Sequence, residues 1–249
     1  MARSPTRRRV LFSAALVCAA ALAFSATRLR ADAVYDAVND FSISSGNPNG
    51  QWSYGTLSSF TGGAFTAFTT PASNAEEIPG AYLWSNDEGI PYAAAVIQNA
   101  SGSTARYNTI VQPTNLLNLA VQDNIVAVRW TAPTSGTYDV EGLLQSIDVY
   151  SNPVIVGIIE GGTTQLLSQT FNAYGNQASY GGILSLTAGT TLDFAAGIGN
   201  GGYTYLSTGL SATITPLSEP VPEPSVAIGL CTSLLGLGVV YLWRRRAKA

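Results

Sequence analysis

Residues 125–145, IVAVRWTAPTSGTYDVEGLLQ, contain the pattern that decides the fold. The run Ile125–Trp130 is almost continuously apolar, which is typical of a central β-strand buried on both faces. The turn-forming segment Pro133–Gly136 follows it. Beyond the turn, the residues that share one face of an extended chain are apolar: Tyr138, Val140 and Leu144. The stretch therefore predicts two strands separated by a tight turn.

The same pattern recurs towards the end of the chain. Val154–Ile159 is a second apolar run, and Gly161-Gly162 predicts a hairpin turn leading to Gln165–Phe171. Period-2 alternation places apolar residues on one face in two further stretches: Leu192, Phe194, Ala196 and Ile198, then Leu206, Leu210, Ala212 and Ile214. Turn signals that recur at short intervals predict an all-β fold, an antiparallel β-sandwich of the jelly-roll type.

The first half is less regular. Four strands are predicted there: Val38–Ile43, Phe65–Thr70, Ala81–Trp84 and Tyr92–Gln98. Two long loops are predicted to connect elements of this region, Ser44–Gly63 and Ser101–Asn124.

Charge is distributed unevenly along the 249 residues. Ten of the twelve basic residues lie within the first 30 or the last 6 positions, and only Arg106 and Arg129 lie between Val34 and Val221. That central stretch holds thirteen carboxylates, so its net charge is −11. Such a body would repel nucleic acid. Arg129 lies in an apolar strand, where we expect it to pair with a carboxylate.

The chain lacks the residues on which several common chemistries depend. It contains no histidine, which excludes histidine-dependent triads and histidine zinc sites. Both cysteines, Cys18 and Cys231, fall in the apolar terminal segments, so the central body has neither a disulfide nor a thiol nucleophile.

The N-terminus has the features of a secretory signal peptide, residues 1–33. Arg3 and Arg7–Arg9 form a basic start, Val10–Ala26 is uncharged and mostly apolar, and Ala31–Ala33 offers a small-residue cleavage site. An earlier cut near Ser25 or Ala26, a twin-arginine signal and an uncleaved N-terminal anchor remain alternatives.

The C-terminal segment 219–249 has three parts in a fixed order. The motif Pro222, Glu223 and Pro224 precedes an uncharged, mainly apolar stretch at 226–243, and Arg244–Arg246 follow it. Eighteen helical residues span about 27 Å, enough for a transmembrane helix. Basic residues favour the cytoplasmic side, so the body is expected outside the inner membrane.

This tripartite tail resembles the PEP-CTERM sorting signal of exported bacterial proteins. The resemblance implies that a membrane-embedded exosortase recognises Pro222, Glu223 and Pro224, cuts nearby and discards the helix. The precursor would then be anchored in the membrane only until the body reaches the cell surface or the extracellular space. An ordinary tail anchor predicts the same topology without cleavage.

The body, residues 34–218, carries a second resemblance. The stretches that carry it are Asp40–Ser42, Asn47–Gly55, Arg129–Pro133, Gly136–Tyr138, Thr191–Ala195 and Ser207–Leu210. They look like a recurring domain of PEP-CTERM and related surface proteins with a jelly-roll shape like that of carbohydrate-binding modules. One departure is visible, because Leu117–Val121 stands where a histidine-containing segment is expected.

The sequence offers no convincing catalytic residues. Asp139 and Glu141 share one face of a predicted strand at a spacing that a carboxylate pair could use, but such a face is usually a solvated surface. We expect a non-enzymatic protein. A calcium-dependent polysaccharide hydrolase or lyase and a purely structural envelope protein are the alternatives.

Two candidate binding features remain. Aromatic rings near turns could stack on sugar rings, and the candidates are Trp52, Tyr54, Trp84 and Tyr92. The turn at Asn86, Asp87 and Glu88 concentrates oxygen ligands suited to a structural Ca²⁺. Together these features predict an exported cell-surface or extracellular-matrix protein that associates with extracellular polysaccharide.

Overall fold

The computed structural model describes residues 34–74, 80–86, 93–202 and 204–217. These residues form antiparallel β-strands and connecting turns, and they belong to one compact unit with its own hydrophobic core. The described residues include no helix able to cross a membrane. The predicted signal peptide, the sorting motif and the predicted transmembrane helix at 226–243 lie outside them.

Sixteen strands are present in the described part of the chain. They are β1 (Tyr35–Asp36), β2 (Trp52–Leu57), β3 (Phe65–Ala67), β4 (Thr70–Ser73), β5 (Ala81–Ser85), β6 (Ala95–Asn99), β7 (Ala105–Tyr107), β8 (Ile110–Gln112), β9 (Leu117–Ala120), β10 (Ile125–Thr131), β11 (Gly136–Ser146), β12 (Val154–Glu160), β13 (Thr164–Phe171), β14 (Gln177–Leu186), β15 (Thr191–Ile198) and β16 (Thr208–Leu217).

Two large sheets contain fourteen of these strands. The first has the order β14-β11-β16-β9-β6-β5-β4, with β1 also paired to β16, and the second has the order β13-β12-β15-β10-β2-β3. Strands β7 and β8 form a small separate hairpin. The last eight large-sheet strands pair in a nested order, β12 with β13, β11 with β14, β10 with β15 and β9 with β16. This nested antiparallel connectivity is that of a jelly roll.

The main core lies between the two large sheets. Aromatic residues of facing strands meet there: the rings of Trp130 on β10 and Tyr138 on β11 are 5.1 Å apart, nearly perpendicular. Gly142 on β11 lies directly over Phe194 on β15, where a Cβ would come within 2.9 Å of the ring. The predicted apolar alternation of β11 and β16 is confirmed, because Val140, Leu144 and their counterparts on β16 are buried in this core.

The outer face of the second sheet is also covered, by the loop between β2 and β3. Phe60 in this loop lies over Gly157 and Gly197, where an added Cβ would lie 3.2 Å from its ring. The N–H of Gly62 donates to the carbonyl of Gly162, 2.7 Å away, which ties the loop to the β12–β13 turn. We call residues 58–64 the strap. It explains why β10, β12 and β15 bury residues on both faces.

Several predictions for the first half were wrong. The predicted strand Val38–Ile43 is a turn region after the two-residue β1, because Asp36 accepts hydrogen bonds from the backbone N–H groups of Val38 and Asn39. The predicted loop Ser44–Gly63 contains β2, which pairs with β10. The predicted loop Ser101–Asn124 contains β7, β8 and β9. The predicted strand Phe65–Thr70 is divided between the sheets as β3 and β4.

Candidate functional site

The predicted sugar-stacking rings lie in the protein interior. Trp52, Tyr54 and Trp84 have 1%, 0% and 4% of their surface exposed, so they form no exposed platform. The prediction was wrong for these three residues because each alternates onto the inner face of its strand and packs between the sheets. Tyr92, the fourth candidate, lies outside the described residues.

The indole N–H groups of the two tryptophans have structural partners. The indole N–H of Trp52 donates to Oδ2 of Asp40 at 3.1 Å, and that of Trp84 donates to the carbonyl of Ser42 at 2.9 Å. The ring of Tyr54 packs 4.8 Å from that of Phe41, and burial raises the pKa of the Tyr54 hydroxyl well above its usual range. These contacts fasten the N-terminal segment to the core.

Part of the predicted calcium turn is described. Asp87 and Glu88 lie outside the described residues, whereas Asn86 is exposed and lines a shallow cleft of about 210 Å³. The other lining residues are Thr56, Phe68, Ala93, Ala94, Gln122, Asp123 and Asn124. No group of three or more carboxylates or other metal-ligating side chains occurs within the described ranges. The cleft is smaller than the roughly 300–1,000 Å³ usual for small-molecule sites.

Arg129 has the carboxylate partner expected from the sequence. Its Nε donates to Oδ1 of Asp193 at 2.6 Å and its Nη2 donates to Oδ2 at 2.8 Å, on the neighbouring strand. The guanidinium also lies 4.2 Å from the centre of the Phe65 ring. The paired, packed guanidinium is therefore a structural group beneath the β2–β3 segment rather than a free cation.

Asp139 and Glu141 lie on the outer face of the first sheet. They are opposite Ile183 and Gly181 of β14 in the strand register. Glu141 is exposed and Asp139 half-buried on this open face. A glycosidase needs two carboxylates on either side of a bound sugar. The two residues lie side by side on one strand, so this arrangement does not provide such a cleft.

The most exposed aromatic residues of the described part of the chain lie at one end of the sandwich. Tyr150, in the β11–β12 loop, has 70% of its surface exposed, and Tyr205, in the β15–β16 loop, has 43%. Their ring centres are 5.4 Å apart with an interplanar angle of 67°. Tyr174 of the β13–β14 loop is also exposed. Two rings that remain packed edge to face while open to solvent form a ready apolar contact surface with hydroxyl groups at its margin.

Backbone hydrogen bonds hold this pair in place. The N–H of Asn152 donates to the carbonyl of Tyr205 at 3.1 Å, and its side-chain amide donates to the carbonyl of Thr204 at 2.8 Å. Tyr205 has a φ of 63°, a left-handed conformation that non-glycine residues seldom adopt. The two loops are thus joined directly beneath the rings, which fixes the position of Tyr205 relative to Tyr150.

A buried carboxylate supports the Tyr150 loop from below. Asp148 is buried, and its Oδ1 accepts from the N–H of Tyr150 at 3.3 Å. Burial raises the pKa of Asp148, while hydrogen bonds from the Thr109 side chain and the Tyr150 backbone partly oppose that rise. The hydroxyls of Ser146 and Ser151 lie 2.8 Å apart at the base of the same loop. The loop is therefore held by polar contacts at both of its ends.

Sequence reasoning missed this tyrosine pair. Tyr150 and Tyr205 lie 55 positions apart in the sequence and meet only because β11, β12, β15 and β16 end at the same side of the sandwich. The one available signal was their setting among turn-forming residues, Ser151-Asn152-Pro153 and Asn200-Gly201-Gly202.

The comparisons with known proteins give weak matches. No family model and no curated protein matches the chain. Among solved structures, a Podospora anserina GH26-CBM35 beta-(1,4)-mannanase is 17% identical with a TM-score of 0.28, over 61% of this chain and 29% of that one. A family 35 carbohydrate binding module from Clostridium thermocellum is 15% identical with a TM-score of 0.26, over 59% and 98%.

A third match is the CBM36-1 domain of a multidomain xylanase from the hindgut metagenome of Trinervitermes trinervoides. It is 17% identical with a TM-score of 0.31, over 50% of this chain and 97% of that one. Similarities with TM-scores this low do not establish a shared fold, and the jelly-roll assignment rests on the strand pairing of this chain.

Proposed function

We propose that this chain is an exported, non-enzymatic surface or matrix protein that binds extracellular polysaccharide through Tyr150 and Tyr205. The exposed, mutually packed rings of these two residues carry the proposal. The side-by-side placement of Asp139 and Glu141 on one open strand, rather than on either side of a cleft, supports a binding role rather than hydrolysis by this pair.

The geometry of the two aromatic rings is the reason for proposing a polysaccharide as the ligand. One face of a pyranose ring carries C–H groups, and a flat aromatic side chain covers that face while its own hydroxyl stays in water. Holding two rings in place before binding lowers the entropy lost on association. The body also carries many carboxylates, so a neutral or weakly charged glycan fits this surface better than a polyanion.

Substitution of the two rings tests the proposal. Tyr150→Ala and Tyr205→Gly should each weaken binding to the host's extracellular polysaccharide about five- to tenfold, about 1–1.4 kcal/mol, without lowering the melting temperature greatly. Glycine is chosen at position 205 because it tolerates the positive φ found there. Affinity electrophoresis through gels containing the polysaccharide measures the effect.

Leu217→Ala is the matched control. Leu217 is also an exposed apolar residue, but it lies at the end of β16 in the first sheet. Its loss should leave the mobility shift unchanged. Equal retardation of the wild type and both tyrosine variants would rule out the tyrosine pair as the binding surface, and no retardation of the wild type would rule out polysaccharide binding itself.

Export and sorting are a separate part of the proposal. We expect cleavage near residue 33, transient anchoring by the helix at 226–243, and exosortase cleavage at or beside Pro222, Glu223 and Pro224. The intact mass of the protein recovered from cells and medium tests this. A mass that ends between Val221 and Ser225 supports processing, whereas a mass that retains Arg244–Arg246 shows a permanently anchored protein.

A calcium ion at the turn of Asn86, Asp87 and Glu88 stays a prediction. The exposed Asn86 and the nearby Asp123 and Asn124 of the same cleft place several oxygen donors close together. We expect Ca²⁺ to act there as a structural ion rather than in catalysis.

A further inference from the structure

The four edge strands of the sandwich differ sharply in how they are protected against pairing with a strand of another molecule. At one side of the sandwich the edges are β3, which has only three residues, and β4, which contains Pro71. Short edges and proline both prevent unwanted strand pairing. At the other side the edges are β13, with eight residues, and β14, with ten. These two strands lack both forms of protection.

Of the two long edges, β14 is the more open to pairing. The β12–β13 ladder has a register shift after Ile158, a bulge that distorts β13. The β11–β14 ladder runs without interruption from Gly136–Leu186 to Gln145–Gln177. Among the described residues, β14 is paired along one edge only. Alternate residues of its other edge direct about five N–H and five C=O groups outward.

The chain segment that contains β14 carries no charge. From Gly161 to Leu192 the sequence contains no Asp, Glu, Lys or Arg, although the central body has a net charge of −11. Edge strands of monomeric proteins usually carry lysine or another charge. Ile183, near the centre of this edge, instead exposes 67% of its surface.

The charge distribution identifies the partner. Two equally acidic molecules repel each other over most of their surface and can approach most closely where neither carries charge. Within the first sheet, the carboxylates nearest to β14 are Asp139 and Glu141, which lie one strand inward on β11. If two β14 strands paired, the two β11 strands would be three strand spacings apart, about 14 Å. That exceeds the Debye length of about 8 Å at physiological ionic strength.

We propose that β14 pairs antiparallel with β14 of a second copy of this chain, so that the first sheet continues across a twofold axis. An antiparallel strand pair is self-complementary. Because a twofold contact occupies the β14 edge of both molecules, assembly stops at the dimer. This inference does not depend on the proposed polysaccharide binding, because the tyrosine pair lies in loops at the end of the sandwich.

Light scattering of the full chain purified in detergent tests the proposal. The protein mass of the wild type should be that of a dimer, and dimerisation should strengthen as salt is raised, since salt screens the repulsion between acidic bodies. Ile183→Lys should weaken dimerisation about tenfold or more, because it places two like charges at the shared edge.

Two further variants keep the result interpretable. Ser179→Lys makes the same change at a small exposed position of β14 and should also yield monomers, which covers the case in which Ile183→Lys fails to fold. Thr213→Lys adds the same charge to the same sheet face, opposite Glu141 on β16, and should remain dimeric. A monomeric wild type, or dimers that survive both β14 substitutions, would overturn the proposal.

Discussion

At the scale of single residues, the pair Arg129–Asp193 is the clearest case of a charge retained for structure. The Asp193 side chain is 1% exposed and that of Arg129 is 20% exposed, so removal of the arginine leaves a carboxylate buried without its partner. Arg129→Met should lower the free energy of unfolding by about 3 kcal/mol. Urea denaturation followed by tryptophan fluorescence measures the loss.

The control for this prediction is the double variant Arg129→Met with Asp193→Leu. It removes both charges, so no ion is left buried and much of the lost stability should return. If the double variant were as unstable as the sum of the two single variants, the two side chains would not be energetically coupled.

Because of Asp148, the free energy of unfolding should fall as pH rises. Its pKa is raised in the folded protein above the ordinary value of 3.8, chiefly by burial. The unfolded chain therefore loses this proton at lower pH than the folded chain. The stability linked to this group is complete below the unfolded pKa and is lost as pH rises through the folded pKa.

Asp148→Asn should remove this loss of stability at higher pH. The variant should match the wild type in stability near pH 3, where the carboxyl is protonated in both states, and exceed it at pH 7. Urea denaturation across this range measures the difference between the two proteins. A difference that stays constant with pH would show that Asp148 does not titrate differently on folding.

At the scale of elements, the strap over the second sheet depends on glycines in the strands beneath it. A Cβ at Gly197 would lie 2.9 Å from Cγ1 of Ile125 and 3.2 Å from the ring of Phe60, so both side chains would have to move. Gly197→Ala should therefore lower the melting temperature, at a cost of about 1–3 kcal/mol. Differential scanning calorimetry measures the change.

Gly181→Ala is the matched control for Gly197→Ala. Gly181 also lies in a strand, but a Cβ there would meet nothing within 4 Å. Alanine should be neutral or stabilise by about 0.4–1 kcal/mol through the unfolded state. Equal destabilisation by the two substitutions would mean that strand glycine itself, rather than contact with Phe60, sets the cost.

The elements that the sequence predicted well are those with strong local patterns. Strands β10, β11, β12, β15 and β16 combine apolar runs or alternation with clear turns, and all five are present. The hairpin at Gly161-Gly162 is confirmed by the pairing of β12 with β13. These strands form the centre of the jelly roll, where burial dictates side-chain type.

The elements that the sequence did not predict are fixed by contacts between distant parts of the chain. Strand β2 lacks a clean alternation of apolar and polar residues. Its outer face contains Gly55, which is packed closely against β3, and its inner face carries aromatic side chains. It is fixed from elsewhere in the chain: the side-chain amide of Asn47 donates to the carbonyls of Tyr54 and Phe68, at 2.7 and 2.8 Å. A window of local sequence does not contain such information. The tyrosine pair was missed for the same reason.

At the scale of the whole molecule, the calcium prediction can be tested by ligand removal. A structural ion binds the folded state and not the unfolded one, so Ca²⁺ in hundredfold excess over its dissociation constant should stabilise by about 2.7 kcal/mol. Chelation should lower the melting temperature accordingly, and Asn86→Ala should reduce the response. A melting temperature that is the same with Ca²⁺ and with chelator would contradict the site.

The body has a closed core rich in aromatic residues, and the proposed binding surface is restricted to loops at one end. The rings that looked most suitable in the sequence, those of Trp52 and Trp84, hold the N-terminal segment in place. The rings proposed for binding come from turns instead. Jelly-roll strands can hold such turns rigidly, which is what the proposed recognition of a glycan requires.

Chemical modification of individual tyrosines tests this central claim most directly. The protein is nitrated with and without the host's extracellular polysaccharide, and each tyrosine is quantified by peptide mass spectrometry. Tyr150 and Tyr205, which are both exposed, should react in the free protein and become protected when the host polysaccharide is bound, but not with a glycan that the host does not make. Unchanged reactivity of both residues while the polysaccharide is demonstrably bound would contradict it.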